Sequence, residues 1–354
     1  MIKLLDYLKN RKTYIIAEMS GNHGGNFNLC VEIIKAAKDA GADCLKIQTY
    51  TADTITIDCH NEEFKLNGGL WDGKYLYDLY KQGYTPWEWT KDIKKITEEN
   101  GMDFLSTPFD FSAVDFLENI GLEFYKVASM EINDIPLIKK IALTNKPVIM
   151  SCGMASIEEI SEAVDTFREY SNKEIVLLKC CSAYPSKYDD MNISTIPDMI
   201  KRFNTYVGLS DHSSGSIASI AAVVSGACVI EKHICLDKND NTVDSGFSLD
   251  KNEFKQLVLD IRNAEKAIGK PTYGPSNDEM NSYNIRRSLY AVKDIKKGEK
   301  FTINNIKSIR PANGLHTRYY DFLVKNGHAK CDIEFGTPLS EELIVEKLDS
   351  YNNL

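Results

Sequence analysis

Short apolar runs recur along the first two thirds of this chain, and a stretch with helical spacing follows each one. In order they are Tyr14–Met19, Cys44–Tyr50, Asp103–Thr107, Phe124–Ser129, Pro147–Cys152, Glu174–Cys181, Tyr206–Asp211 and Cys228–Ile234. Runs such as EIVLLKCC and CVIEKHIC are apolar on both faces, as strands become when helices cover a parallel sheet and side chains fill its inside. The helical stretches carry their own punctuation. Asn26–Ala40 stops at Gly41, a C-terminal cap, and Ser156–Tyr170 opens with the capping box of Ser156 and Glu159. Another helix ends at Gly226, and Lys251–Ile268 closes the series. Eight strands alternating with eight helices predict an α/β fold, a TIM (β/α)8 barrel, which places its chemistry at the C-terminal ends of the strands.

Three segments depart from the repeat. The N-terminal MIKLLDYLKNRK reads as a short amphipathic helix and lacks the apolar core of a signal peptide. Residues 51–84 form a long second connection. Over a barrel mouth it is a lid or specificity element; otherwise it is a surface insertion with its own hairpin or helix. The Gly-, Pro- and polar-rich stretch 270–284 reads as a linker between a barrel domain, 1–269, and a small domain, 285–354, of short strands joined by Gly turns. A unit of roughly 70 residues is marginal for an independent core, so it is expected to lean on the barrel or on a partner chain.

Composition narrows the function. The 354 residues are 43% hydrophobic and 26% charged, with a formal net charge of −9, which argues against a nucleic-acid or anionic-membrane surface. No apolar run approaches the ~20 residues that span a bilayer. The nine cysteines are odd in number, lie mostly in or beside strands, and form no C-x-x-C pair. They read as reduced thiols in a cytoplasmic protein.

The strand ends carry Glu18, Lys46, Gln48, Thr107, Lys126, Ser129, Ser182, Ser210, His212 and His233. This cationic, hydroxyl-rich rim describes a pocket for a small phosphorylated anion and a metal. His212 and His233, one βα unit apart, suit a Mn- or Mg-like ion that keeps open positions; Zn fits chemically, and satisfied core histidines are the alternative. A lysine inside a barrel is costly unless paired. Lys46 and Lys126 therefore read as clamps for phosphate and carboxylate, whereas Lys179 and Lys232 fit better as outward lysines under the helices. Glu18 is a candidate base or orienting group, expected to stay ionised beside the lysines. The SGNHGG loop with Asn22 and His23 allows close backbone approach to a ligand, but no Walker or dinucleotide fingerprint accompanies it.

The segments IIAEMSGNHGGNFNLCVEIIKAAKDAGADCLKIQTY, STPFD, YKVAS, GLSDHSSG and EKHICLD resemble the sialic acid synthase family, and RRSLYAVKDIKKGE and SIRPANGL resemble its antifreeze-like (SAF, β-clip) domain. The resemblance runs over essentially the whole chain. TYTADTITIDC, GLWDGKYLYDLY, YTPWEW and CCSAYPSKYDDMN look most like the pseudaminate-forming branch; the N-acetylneuraminate branch usually has Asn where this chain has Ser182. The resemblance implies a phosphoenolpyruvate-dependent synthase acting on an acetamido-deoxy sugar. Lys46, Thr107, Lys126, Ser129, Ser182 and Ser210 would hold phosphoenolpyruvate, and His212 and His233 a divalent metal. Glu18, Gln48, Tyr184 and Asp244 would meet the sugar or reacting centre. Arg310 would reach into the barrel mouth of a partner subunit in a domain-swapped homodimer.

Three rivals stand beside this expectation. One is a synthase of the same family that makes N-acetylneuraminate or legionaminate. Another is a metal-free aldolase using a Schiff base on Lys126 or Lys179. The third is a catalytically silent sugar-binding protein.

Overall fold

The structure, a computed structural model, describes residues 2–348. Met1 of the expected N-terminal helix and residues 349–354 of the expected small domain lie outside the described residues. The chain divides into two compact units, Met1–Gly269 and Lys270–Leu354.

The first unit is a closed parallel barrel of eight strands in sequence order. They are β1 (Tyr14–Glu18), β2 (Cys44–Thr49), β3 (Asp103–Pro108), β4 (Tyr125–Val127), β5 (Val148–Ser151), β6 (Ile175–Cys180), β7 (Tyr206–Asp211) and β8 (Val229–His233). The apolar runs locate every strand, with one difference of note. Phe124–Ser129 narrows to a three-residue β4, because Ser129 leaves the ladder and starts a 3-10 turn, Ser129–Glu131.

Local chemistry fixes the helices. Helix Phe27–Ala40 starts at Asn26, whose side chain accepts from the amides of Asn28 and Leu29, and it ends at Gly41 with φ of 93°. A side-chain cap of this kind stabilises a helix by about 1 kcal/mol. The Ser156–Glu159 capping box forms, and Asp250 and Glu253 build another at the start of Lys251–Ile268.

Strand alternation sorts the core into two layers. Tyr14, Ile16, Cys44, Phe124, Ile149 and Val229 point inward and pack at the N-terminal end of the barrel, where Leu4 and Leu8 of helix Lys3–Asn10 cover them. That end is plugged. Two residues further along each strand the inward position turns polar: Glu18 after Ile16, Lys46 after Cys44, Lys126 after Phe124, Ser151 after Ile149 and Glu231 after Val229. The period of two therefore stacks a charged layer directly on an apolar one. The other face of the strands is mostly apolar and meets the helices.

Residues 51–84 fold into helices Ala52–Ile55 and Leu76–Gly83 with a bridge between Lys65 and Tyr75. In the second unit, β9 (Ser288–Ala291) pairs antiparallel with β10 (Ile306–Ile309). A helix, Tyr320–Asn326, which strand-and-turn reading does not anticipate, buries Leu323 beside Leu289, Phe301 and Ile306. The first unit is thus a TIM barrel, and the second closes on a small core of its own.

Candidate active site

Barrel closure brings β1, β2 and β8 side by side, and their inward charges meet. Lys46 Nζ lies 2.7 Å from Glu18 Oε2 and 3.1 Å from Glu231 Oε1, and all three side chains are at most 4% exposed. Ser20 donates to Glu18, and Ser210 donates to Glu231 at 3.2 Å. Across the barrel, Lys126 donates to Ser151 Oγ at 2.6 Å and to the Val127 carbonyl at 2.9 Å.

Two carboxylates share one lysine, so they cannot hold their protons alike. Burial would raise Glu231, but Lys126 and Lys46 outweigh it and bring the carboxyl down to about 2. Glu18 moves the other way. Burial, with the Glu231 charge added, exceeds the pull of Lys46 and raises it above the ordinary carboxylate value. Glu18 thus binds a proton more readily than an ordinary carboxyl, while its ion pair with Lys46 favours the ionised form. Burial also lowers Lys126 from the usual lysine value. Glu231 is the residue that sequence reasoning missed. Its signal is the alternation in Glu231-x-His233, which puts both on one face of β8.

His212 follows β7 and His233 ends β8, with ring centroids 5.3 Å apart. His212 Nδ1 lies 3.0 Å from the Cys181 carbonyl. A proton on Nδ1 satisfies that carbonyl and leaves Nε2 with a free lone pair. His233 Nδ1 is buried and has no partner among the described residues. Burial, and then the positive groups around it, push His233 well below the ordinary histidine value, so its imidazole is neutral. No third His, Cys, Asp or Glu joins them among the described residues. Burial would lower His212, but Cys180, the Cys181 carbonyl and Glu231 outweigh it and raise its proton affinity above the ordinary histidine value. Two adjacent imidazoles, one of them with an orphaned nitrogen, fit a divalent ion that displaces any proton on His212 and completes its shell with substrate and water. Tyr184 packs 4.4 Å from His212, and Phe247 packs 4.8 Å from His233.

The expected hydroxyls lie around the same mouth. Thr107 Oγ1 is buried and has no partner among the described residues. Ser129 accepts from the Gly153 amide at 3.1 Å. Gly153, unremarked in the sequence, is bare for a reason: a Cβ there would sit 2.2 Å from Ser182 Oγ and 2.8 Å from Ser129 Oγ. Gln48, Ser129, Glu131, Tyr184, His233 and Asp244 line one cavity of about 200 Å³. Burial raises Glu131 to about 7 and Asp244 to about 6, although Asp244 accepts from the Gly21 amide at 2.9 Å. Glu131 is a second acid that the sequence reading passed over.

Some candidates stand apart. Lys232 pairs with Asp211 at 3.0 Å, and Lys179 donates to the Cys180 carbonyl at 2.9 Å. Both are out of phase with the inward residues of their strands. Arg310 is exposed and belongs to the second unit, just after β10.

A closed barrel with lysines, acids, hydroxyls and two adjacent imidazoles at its unplugged end defines a (β/α)8 enzyme site. Residues 33–273 match the NeuB family and residues 286–345 the SAF domain, and the chain belongs to the NeuB family, a TIM barrel followed by a SAF domain. It is 45% identical over 332 residues to the pseudaminic acid synthase of Campylobacter jejuni, covering 94% of this chain and 96% of that protein. It is 40% identical to the pseudaminic acid synthase of Helicobacter pylori, covering 94% and 98%. Among solved structures, the N-acetylneuraminic acid synthetase of Leptospira borgpetersenii, in complex with citrate, is similar with a TM-score of 0.68. It is 32% identical, over 77% of this chain and 90% of that one.

Proposed function

We propose that this chain condenses phosphoenolpyruvate with open-chain 2,4-diacetamido-2,4,6-trideoxy-L-altrose, adding water and releasing phosphate to give pseudaminic acid. One observation carries the reading: an unpartnered imidazole, an unpartnered hydroxyl and a buried lysine converge on one barrel mouth. The likeness to pseudaminic acid synthases over nearly the whole chain supports the choice of product.

Each residue has a task in this reaction. Lys126, bonded to a hydroxyl and a carbonyl, meets the phosphate of phosphoenolpyruvate with help from Thr107, Ser129, Ser182 and Ser210. Lys46 spends two of its three N–H groups on Glu18 and Glu231, and the third is left for the substrate carboxylate. A divalent ion, Mn²⁺ or Mg²⁺, bound at His212 and His233 supplies Lewis acidity at the aldehyde oxygen. Gln48, Tyr184 and Asp244 orient the sugar. C3 of phosphoenolpyruvate bonds to the aldehyde carbon, whose oxygen takes a proton and becomes a hydroxyl. Water then adds at the electron-poor C2, and Glu18, with its raised proton affinity, accepts the proton that the water loses. The C2–O bond to phosphate breaks, leaving the ketone and free phosphate. Holding both reactants in this geometry contributes several kcal/mol by positioning alone, of the ~7–11 that such effects reach.

The proposal extends to a homodimer in which Arg310 of one protomer serves the barrel of its partner. It also places the enzyme in the cytoplasm, a setting that suits nine free cysteines. No helix among the described residues is long and apolar enough to cross a membrane. Family resemblance directs the product to flagellin or surface-polysaccharide glycosylation.

Phosphate release from phosphoenolpyruvate with Mn²⁺ tests the reading, comparing the altrose sugar with N-acetylmannosamine and adding EDTA controls. Turnover confined to the altrose sugar and lost in EDTA supports it; turnover with N-acetylmannosamine instead overturns the product. The lowered Lys126 favours a second reading, a Schiff-base aldolase. Inactivation by borohydride with substrate, undiminished by EDTA, would establish that rival.

A further inference from the structure

The cavity's acids and its imidazole all come from the barrel side, where Glu131, Asp244 and His233 stand with Gln48 among the apolar Phe109 and Phe247. Its roof comes from the 51–84 segment, which contributes Ile55, Leu66, Trp71, Leu76, Leu79 and Tyr80. Of these six, only Trp71 and Tyr80 carry a polar side-chain atom. The Trp71 indole N–H donates to the Val243 carbonyl at 3.3 Å, and its ring packs 5.6 Å from Tyr184 and 6.3 Å from Phe247. Trp71 thus ties the insertion to residues that flank the histidines.

His233 and the 51–84 side chains line the same cavity, so an open-chain sugar with its aldehyde at the histidines has that roof within reach of its far end. A hydroxyl there gives up its water and meets leucine and isoleucine side chains. An unsatisfied buried hydroxyl costs roughly 1–3 kcal/mol, about 5- to 150-fold in binding. A methyl group in the same place gains from burial. We infer that the 51–84 segment is a specificity element that reads the missing oxygen at the sugar's distal end, selecting 6-deoxy acceptors over 6-hydroxy ones. The inference rests on the synthase reading above and adds the residues that enforce its substrate class. An apolar pocket cannot reject an added hydroxyl without limit, and about 100-fold is the ceiling.

The test uses the full-length enzyme with Mn²⁺ and two acceptors that differ at one position: 2,4-diacetamido-2,4,6-trideoxy-L-altrose and its 6-hydroxy counterpart. Wild type is expected to favour the deoxy sugar by about 10- to 100-fold in kcat/KM. Leu66→Gln and Leu76→Gln each place an amide in a half-buried part of the roof. Both are expected to shrink that ratio at least threefold through the sugar KM, leaving the phosphoenolpyruvate KM within twofold. Trp71→Phe keeps the roof apolar and should keep the preference. Equal use of the two sugars by wild type overturns the inference while leaving the synthase reading intact. So does a wild-type ratio in both glutamine variants when their circular dichroism is native. Absence of turnover with either sugar overturns the synthase reading and this inference together.

Discussion

Replacing Glu231 by Gln isolates the buried charge at the centre of the site. Gln has the shape of a protonated Glu, so the substitution asks what the negative charge contributes. The fold lowers this carboxyl from 4.5 to about 2, because Lys126 and Lys46 outweigh the burial that would raise it. At about 1.4 kcal/mol per tenfold change in proton affinity, the ionised form is stabilised by roughly 3 kcal/mol over the protonated one. The side chain is 4% exposed, so solvent screening removes little of this. Glu231→Gln should therefore unfold roughly 3 kcal/mol more easily at pH 7, in line with the 3–5 kcal/mol typical of a broken buried pair.

The sign of the pH dependence is fixed. A lowered acid contributes its full stability above the unfolded value of 4.5 and loses it as pH falls toward about 2. The gap between wild type and variant should accordingly close on acidification. Urea unfolding of both proteins in EDTA at pH 7, 5, 4 and 3.5 measures it. A gap under 1 kcal/mol at pH 7, or one that stays constant down to pH 3.5, would refute the charge network described here.

Other consequences can be checked one residue at a time. His212→Ala and His233→Ala should each abolish Mn²⁺-dependent turnover and weaken Mn²⁺ binding by equilibrium dialysis while remaining folded; full activity in both would remove the metal from the reaction. Gly153→Ala drives a methyl group into Ser182 and Ser129 and should raise the phosphoenolpyruvate KM about tenfold or more, the scale of one lost hydrogen-bonded contact to a charged group, with little change in Tm. An unchanged KM would show that those serines do not hold the anion. Arg310→Ala should raise the sugar KM more than that of phosphoenolpyruvate, and equal effects would undercut the role proposed for the second unit.

The sequence by itself determined what depends on neighbours in the chain. Short apolar runs placed the eight strands, and Asn26, Gly41, Ser156 and Glu159 marked helix ends, because a cap acts within three residues of its helix. The same alternation marks Lys46 and His233 as inward-facing, since a strand side chain can point only two ways. Helix Tyr320–Asn326 was not legible, because its one buried anchor, Leu323, is too little to set a period. Tertiary structure decided what depends on distance through space. Lys46 and Glu231 are 185 positions apart in the chain, and only barrel closure sets them 3.1 Å from one another. That contact, with the burial around it, gives Glu18 and Glu231 opposite proton affinities, a property that neither residue's sequence context contains. In the 51–84 segment, Leu76, Leu79 and Tyr80 share one face of helix Leu76–Gly83, but that face became a roof only because the cavity it covers is built by residues from six other strand ends and their loops.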